Sequence, residues 1–229
     1  MNGPHIVSEP PILYFGTPVV LISSANEDGS ANLAPMSSAF WLGWRCILGL
    51  NASSKTTENM IRTGQCVLNL PSVDNVAAVN RLACLTGSNP VPAVKLARGY
   101  TYEKRKFETA GLTAIPSLTV APPRVLECPV QMEAVVAARH DLLEDDDAAR
   151  GKIVTFEVRV TRVHIHPDIA MDGVCNRVDP DKWRPLIMSF QRYYGLGEEL
   201  HESTLAKIPE DIYRMPDIAR SRTAGLVKS

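Results

Sequence analysis

The chain has 229 residues, 24 Lys+Arg against 25 Asp+Glu for a formal net charge of −1, and 45% hydrophobic residues. That length and apolar content suit one large domain or two small ones with a core needing no disulfide or metal, and the charge balance argues against a dedicated nucleic-acid binder. No stretch approaches the roughly 20 apolar residues that span a bilayer, and residues 1–11 lack the basic and apolar regions of a secretory signal, so a cytoplasmic protein without membrane partners is expected.

The first part of the chain reads as strands and turns. Residues 19–23 (VVLIS) form a nearly continuous apolar run with β-branched members, the pattern of a buried strand. Asn26-Glu27-Asp28-Gly29 is a hairpin signal, since glycine tolerates positive φ, and residues 30–34 are the returning strand. Residues 45–50 and 65–70 are further strands. Between them residues 53–64 predict a short helix, with hydroxyl residues at the cap positions, Glu58 in the first turn and Gly64 past the end. Pro71-Ser72 opens a second helix, on which Val73, Val76, Val79 and Ala83 fall at helical spacing.

Residues 86–92 are loop, and the charged stretch 99–110 reads as surface helix or loop. Residues 124–138 are strand-like but interrupted by Pro129, which implies an edge or a bulge. The acidic run 143–147 is a solvated loop. Residues 152–166 carry the longest strand signal, with a change of phase: Phe156, Val158 and Val160 share one face, Val163 and Ile165 the other. A β-bulge near Thr161-Arg162 reconciles the halves, because one extra residue inverts the alternation. After Pro167, turns alternate with helical pieces around 183–194 and 205–214. No repeat or linker divides the chain, so one domain is expected.

Several chemistries are absent from the motifs. There is no P-loop, no G-x-S-x-G and no H-E-x-x-H, and Gly195-Leu196-Gly197 lacks the context of a dinucleotide fingerprint. The five cysteines (Cys46, Cys66, Cys84, Cys128, Cys175) are odd in number and contain no C-x-x-C. Cys46 and Cys66 read as small buried hydrophobes. His164 and His166 share a strand face, as a metal pair or as two surface histidines, and no third ligand stands at diagnostic spacing, so no metal site is assigned.

Two segments carry the chemistry. Residues 51–57 (NASSKTT) join a strand end to a helix start and supply four hydroxyls and one ammonium with no acidic side chain. Unpaired N–H groups and the positive end of the helix dipole make such a turn a cradle for phosphate, although capping alone would use one hydroxyl. Residues 32–41 (NLAPMSSAFW) are small and weakly polar before turning aromatic. Small residues let backbone approach a planar ligand, and Ser37 and Ser38 can hydrogen-bond ring heteroatoms; an ordinary strand after a proline has the same composition.

These two segments, in this order, resemble the flavin reductase-like family of FMN-binding split barrels, which includes the flavoredoxins. The match takes in residues 16–21 (GTPVVL), 32–38 (NLAPMSS), 54–61 (SKTTENMI), 65–71 (QCVLNLP), 106–113 (KFETAGLT) and 123–128 (PRVLEC), and spans residues 12–166. The resemblance implies a mainly β fold with flanking helices, a six-stranded antiparallel split β-barrel over residues 1–166, with residues 167–229 as an extension packed on the barrel or a dimer partner. It also implies a homodimer with FMN near the subunit interface. Pro35, Met36, Ser37 and Ser38 would lie along the isoalloxazine, and Ser53, Ser54, Lys55 and Thr56 would hold the phosphate. The block 183–197 would cover the flavin or form dimer contacts, or pack as a helix.

The function so implied is an NAD(P)H-dependent flavin reductase, passing hydride from nicotinamide to flavin N5 and electrons to free flavin or another acceptor. The cofactor carries that chemistry, so no catalytic side chain is assigned. The alternatives are a non-catalytic FMN-binding module or electron carrier, and a barrel for another ligand such as pyridoxal phosphate or haem.

Overall fold

The computed structural model of the chain describes residues 3–174 and 176–223; Cys175 lies outside the described residues, as do residues 224–229 of the C-terminal extension. Near the N-terminus, β1 (Phe15–Pro18) is followed by the hairpin β2 (Val20–Ala25) and β3 (Ala31–Met36), then by β4 (Ala39–Leu42) and β5 (Arg45–Asn51). The β2–β3 turn forms as expected: Gly29 takes φ of +79° and Asp28 Oδ1 accepts from the Ser30 amide at 3.0 Å. Next comes α1 (Lys55–Thr63), capped by Ser54 and stopped at Gly64, whose φ of +66° is left-handed. β6 (Gln65–Leu70) leads through a 3₁₀ turn N-capped by Ser72 into α2 (Val76–Leu82).

A run of short elements follows: β7 (Leu85–Thr86), α3 (Ala93–Leu96), β8 (Thr101–Tyr102), α4 (Lys106–Ala110), β9 (Ala114–Ile115) and β10 (Arg124–Val125). The two longest strands, β11 (Val130–Asp141) and β12 (Ile153–Ile165), are joined by the exposed acidic turn. The tail adds β13 (Ile187–Ser189), β14 (Arg192–Tyr194) and α5 (Pro216–Thr223).

The main sheet is antiparallel with seven strands in the order β3-β2-β6-β11-β12-β5-β4. This corrects the expected six-stranded barrel. β4 is the added strand: four apolar residues after the Ser37-Ser38 turn, Ala39 buried and Phe40 and Leu42 exposed, too few and too uniformly apolar to show period-two alternation in sequence. The outer strands β3 and β4 do not pair with each other. One face of the sheet carries a core including Ile22, Leu48, Leu68, Met132 and Phe156. The other face, through Val19, Leu21 and Leu33, packs on α2 and on Phe107 and Ala110 of α4. β2 is thus buried on both faces, which is why its sequence is continuously apolar.

The phase change in β12 is a bulge. Glu133 pairs with Arg162 but Ala134 with Val160, leaving Thr161 as the extra residue. Its hydroxyl donates to the Glu133 carbonyl at 3.1 Å and meets Thr119 Oγ1 at 2.7 Å. The Glu133 carboxylate, fully buried on central strand β11, accepts from the Leu118 amide at 2.9 Å and from Thr119 Oγ1 at 2.6 Å, and lies 2.8 Å from His164 Nε2. One buried acid therefore fastens the 116–123 loop to the sheet. Pro129 lies after β10 and immediately before β11, so it separates two strands rather than marking an edge.

The tail departs from its predicted helices. Residues 187–194 form a hairpin whose β13 pairs with β1, and residues 204–213 form two 3₁₀ turns. The hairpin turn uses Phe190 and Gln191 at φ of 44° and 63°, a left-handed pair without the glycine or asparagine that would advertise it. α5 lies against β12, with buried Asp217 paired to Arg45 Nε at 2.9 Å.

Burial pushes the Glu133 carboxyl up, but hydrogen bonds from His164, Thr119 and the Leu118 amide outweigh it and hold the group at about 2, against an ordinary 4.5. A depressed carboxyl stabilises the fold fully above its unfolded value, and that contribution disappears as pH falls from about 4.5 towards 2. Glu133→Ala should cost about 3 kcal/mol in urea unfolding at pH 7. The variant should also lose less stability than wild type between pH 5 and 3.

Candidate functional site

The start of α1 is shaped by its own hydroxyls. Asn51 Oδ1 accepts from the Ser53 amide at 2.9 Å and from Ser53 Oγ at 2.7 Å. Ser54 Oγ accepts from the Thr57 amide at 3.1 Å, and Thr57 Oγ1 donates to the Asn51 carbonyl at 2.8 Å. Three of the four hydroxyls read from the sequence therefore serve the turn itself. The fourth, Thr56, is buried and accepts from Asn32 Nδ2 at 3.1 Å. Lys55 Nζ lies 2.6 Å from Glu58 Oε1 on the same helix face.

Beside this turn lies a cleft of about 170 Å³. One wall is β3, with Asn32, Ala34, Pro35 and Met36; the adjoining side is Asn51, Ser54, Lys55 and Thr56. The opposite wall comes from the short elements after α2, and brings Lys95, Arg98, Tyr100 and Lys106. Four cationic side chains thus line one cleft, with no carboxylate among the lining residues. Lys55 is paired with Glu58, whereas the like charges of Lys95 and Lys106 oppose each other, and an anion in the cleft would offset them.

Asn32 organises the junction of the walls. Its Oδ1 accepts from Lys106 Nζ at 3.1 Å, while Nδ2 donates to Thr56 Oγ1 at 3.1 Å and to Ser24 Oγ at 3.3 Å. Lys106 is only 3% exposed. Burial first, and the like charge of Lys95 second, push its ammonium down to about 7, with Glu103 opposing. Burial also lowers Lys95, whose Nζ donates to Thr86 Oγ1 at 3.2 Å. Gly87 closes the junction: a Cβ there would stand 2.6 Å from Asn32 Oδ1 and 3.2 Å from Lys55 Cγ.

Of the residues singled out from sequence, the cleft gathers Pro35, Met36, Ser54, Lys55 and Thr56. Ser53 is exposed and engaged with Asn51. Ser37 and Ser38 stand in the turn between β3 and β4, outside the cleft lining, where Ser38 Oγ meets Tyr14 OH at 2.7 Å. Sequence alone misses Lys95, Arg98 and Lys106. A signal was available for the last, since Phe107 and Ala110 make a buried i, i+3 pair beside it. The two histidines diverge: His164 turns to Glu133, and His166 Nδ1 lies 3.5 Å from Asp168 Oδ2. Among the described residues no group of three or more His, Cys, Asp or Glu side chains is placed to hold a metal, and no helix is long and apolar enough to cross a membrane.

Known proteins resemble this chain, some in sequence and others in fold. A family model described as the flavin reductase like domain matches residues 12–197. The uncharacterised protein YdfE of Bacillus subtilis is 39% identical over 192 residues, covering 84% of this chain and 89% of that protein. Among solved structures, the flavoredoxin of Desulfovibrio vulgaris superposes with a TM-score of 0.70 at 20% identity, over 89% of this chain and 99% of its own. An FMN-binding domain of a flavin reductase-like enzyme from Shewanella baltica gives 0.60 at 16% identity, over 82% and 90%. The family match spans both walls of the cleft.

Because Gly87 has no room for a side chain, Gly87→Ala should destabilise the protein by about 1–2 kcal/mol in thermal unfolding. Gly197→Ala, with nothing within 4 Å of the added carbon, should change stability by less than about 0.5 kcal/mol.

Proposed function

The chain belongs to the flavin reductase-like family, and from that premise we propose that it is an FMN-binding oxidoreductase that takes electrons from NADH or NADPH. The observation that carries this reading is the cleft with four cations and no lining carboxylate, set against the small-residue strand β3. A phosphate supplies the missing negative charge, and a planar ring suits a wall of alanine, proline and methionine.

In this reading Ser54, Lys55 and Thr56 hold the phosphate, with Ser53 supporting their turn through Asn51. Lys55 would turn its charge from Glu58 to the phosphate, and the amides of the first turn of α1 would lie beside it. Pro35 and Met36 flank the ring, and Ser37 and Ser38 continue that edge beyond the end of β3. When bound, the flavin supplies hydride-accepting chemistry at N5, so the chain is asked to bind, orient and shield rather than to provide an acid, base or nucleophile.

Two further points go with this proposal. The unit is a homodimer: Leu13, Phe15, Phe40, Leu42 and Phe190 are large apolar side chains left exposed, with Phe15 and Phe190 stacked edge to face at 4.8 Å. The location is cytoplasmic: Cys46, Cys66 and Cys128 are free and buried, and burial pushes the Cys46 thiol up to about 12, so it behaves as a hydrophobe.

The test is a visible spectrum of protein reconstituted with FMN, followed by anaerobic addition of NADH and then NADPH. Bleaching of the flavin band is expected; a bound flavin that neither nucleotide bleaches would favour an electron carrier, and a Soret band would replace flavin by haem. Lys55→Ala should weaken FMN about tenfold, equivalent to about 1.4 kcal/mol, and leave riboflavin within twofold. An FMN affinity and salt dependence equal to wild type would remove Lys55 from the phosphate.

A further inference from the structure

We propose that a second pocket, beside β10, binds a compact branched or alicyclic monocarboxylic acid on Arg124. The proposal stands apart from the flavin reading, because this pocket and the flavin cleft share no lining residue. In the main sheet β2 and β6 separate β3, a wall of the cleft, from β11, a wall of this pocket.

The pocket holds about 250 Å³ among β9, β10, the start of β11 and the end of β12. Its apolar side is built from Ile115, Leu126, Pro129 and Ile165, and its polar groups are Arg124, Gln131, His164 and His166. No carboxylate lines it. Glu127, which sits between two lining residues, is engaged by the Thr113 amide at 3.0 Å, and His166 Nδ1 lies 3.5 Å from exposed Asp168.

Arg124 is fixed in place by neutral oxygens. Its Nε and Nη2 donate to the Pro116 carbonyl at 3.2 and 2.9 Å, and its Nη1 donates to Gln131 Oε1 at 2.9 Å. Gln131 is buried and is held in turn, its Nε2 donating to the Val125 and Cys128 carbonyls at 2.7 and 3.1 Å. A guanidinium has five N–H groups, so among the described residues one is left on each terminal nitrogen. The acid in ion-pair range is Glu133, whose Oε1 lies 3.7 Å from Arg124 Nε. That carboxylate already accepts from the Leu118 amide, Thr119 Oγ1 and His164 Nε2. His164 meets the same oxygen, Oε1, at 2.8 Å, so one buried acid sets the spacing of two lining groups.

This geometry selects the ligand. Two N–H groups on one planar cation match the two oxygens of a carboxylate, and the charge makes those bonds stronger than neutral ones. A phosphate would bring a second negative charge and nothing for Ile115, Leu126 and Ile165 to cover. The volume lies at the small end for ligand sites, which limits the body of the acid to a single ring or a short branched chain. Walls of isoleucine, leucine and proline suit a saturated body.

The test is a ¹H–¹⁵N NMR titration of the full chain, loaded with FMN, using cyclohexanecarboxylate as the probe. Amide shifts are expected around Ile115, Leu126 and Ile165. The acid should bind at least about tenfold more tightly than cyclohexanecarboxamide, which lacks the charge, and than acetate, which lacks the body. Arg124→Gln should weaken the acid about tenfold and leave the carboxamide within about twofold. Arg124 also ties down Pro116, so a second variant covers a failure to fold. Leu126 is 54% exposed at the rim, and Leu126→Trp should fill the pocket and abolish binding while FMN affinity stays unchanged. Equal affinity for acid and carboxamide overturns the anion site, and equal affinity for acetate overturns the apolar body. Shifts on β3 and α1 instead would place the probe in the flavin cleft and overturn the second pocket, as would no shift at about 10 mM probe or unchanged binding by Leu126→Trp. The same titration without FMN separates the two readings, since a chain that takes no flavin should still take the acid beside β10.

Discussion

The Asn32 side chain is where three elements meet. Its carbonyl oxygen takes Lys106 from α4, and its amide nitrogen gives hydrogen bonds to Thr56 at the start of α1 and to Ser24 on β2. At 2% exposure, no water competes for these bonds, and losing one would leave a buried polar group unpaired. Asn59 extends the arrangement by donating to Ser24 Oγ and Asn26 Oδ1, both near the β2–β3 turn. The position of the helix start relative to the sheet, and so the shape of the cleft, follows from this amide.

A second buried polar group does comparable work at a distance. Glu133 gathers the 116–123 loop, the bulged residue Thr161 and His164 around one carboxylate. The bulge gives Thr161 the position from which its hydroxyl reaches both Thr119 and the Glu133 carbonyl. The site and the loop thus depend on two polar anchors in an otherwise apolar sheet, which is where burial makes hydrogen bonds count most.

What the sequence discloses follows from the range of the forces involved. The β2–β3 turn, both ends of α1 and the Thr161 bulge were legible because each is decided by a few neighbouring residues: Asp28-Gly29, Ser54 and Gly64, and the phase of Phe156 to Ile165. Pro35 and Met36 close β3, and Ser54, Lys55 and Thr56 follow β5, so each group was legible locally, while their meeting at one cleft is the work of the fold. Lys106 was hidden because its burial is decided by β3, more than seventy positions away in the chain, and a charged stretch defaults to the surface. β4 was too short to have a period, and the β13–β14 turn uses Phe190 and Gln191 in backbone states normally left to glycine.

The two walls of the cleft are unequal in construction. β3 belongs to a seven-stranded sheet with a core on each face, whereas the wall bearing Lys95 and Arg98 hangs from β7 and β8, two residues each. Segments with so few ordered bonds open at much lower free energy than a sheet interior. An anion held by both walls is then a staple across the weakest seam of the molecule. Occupancy and heat resistance become one quantity, and the protein would report its own loading state to any protease that samples that seam.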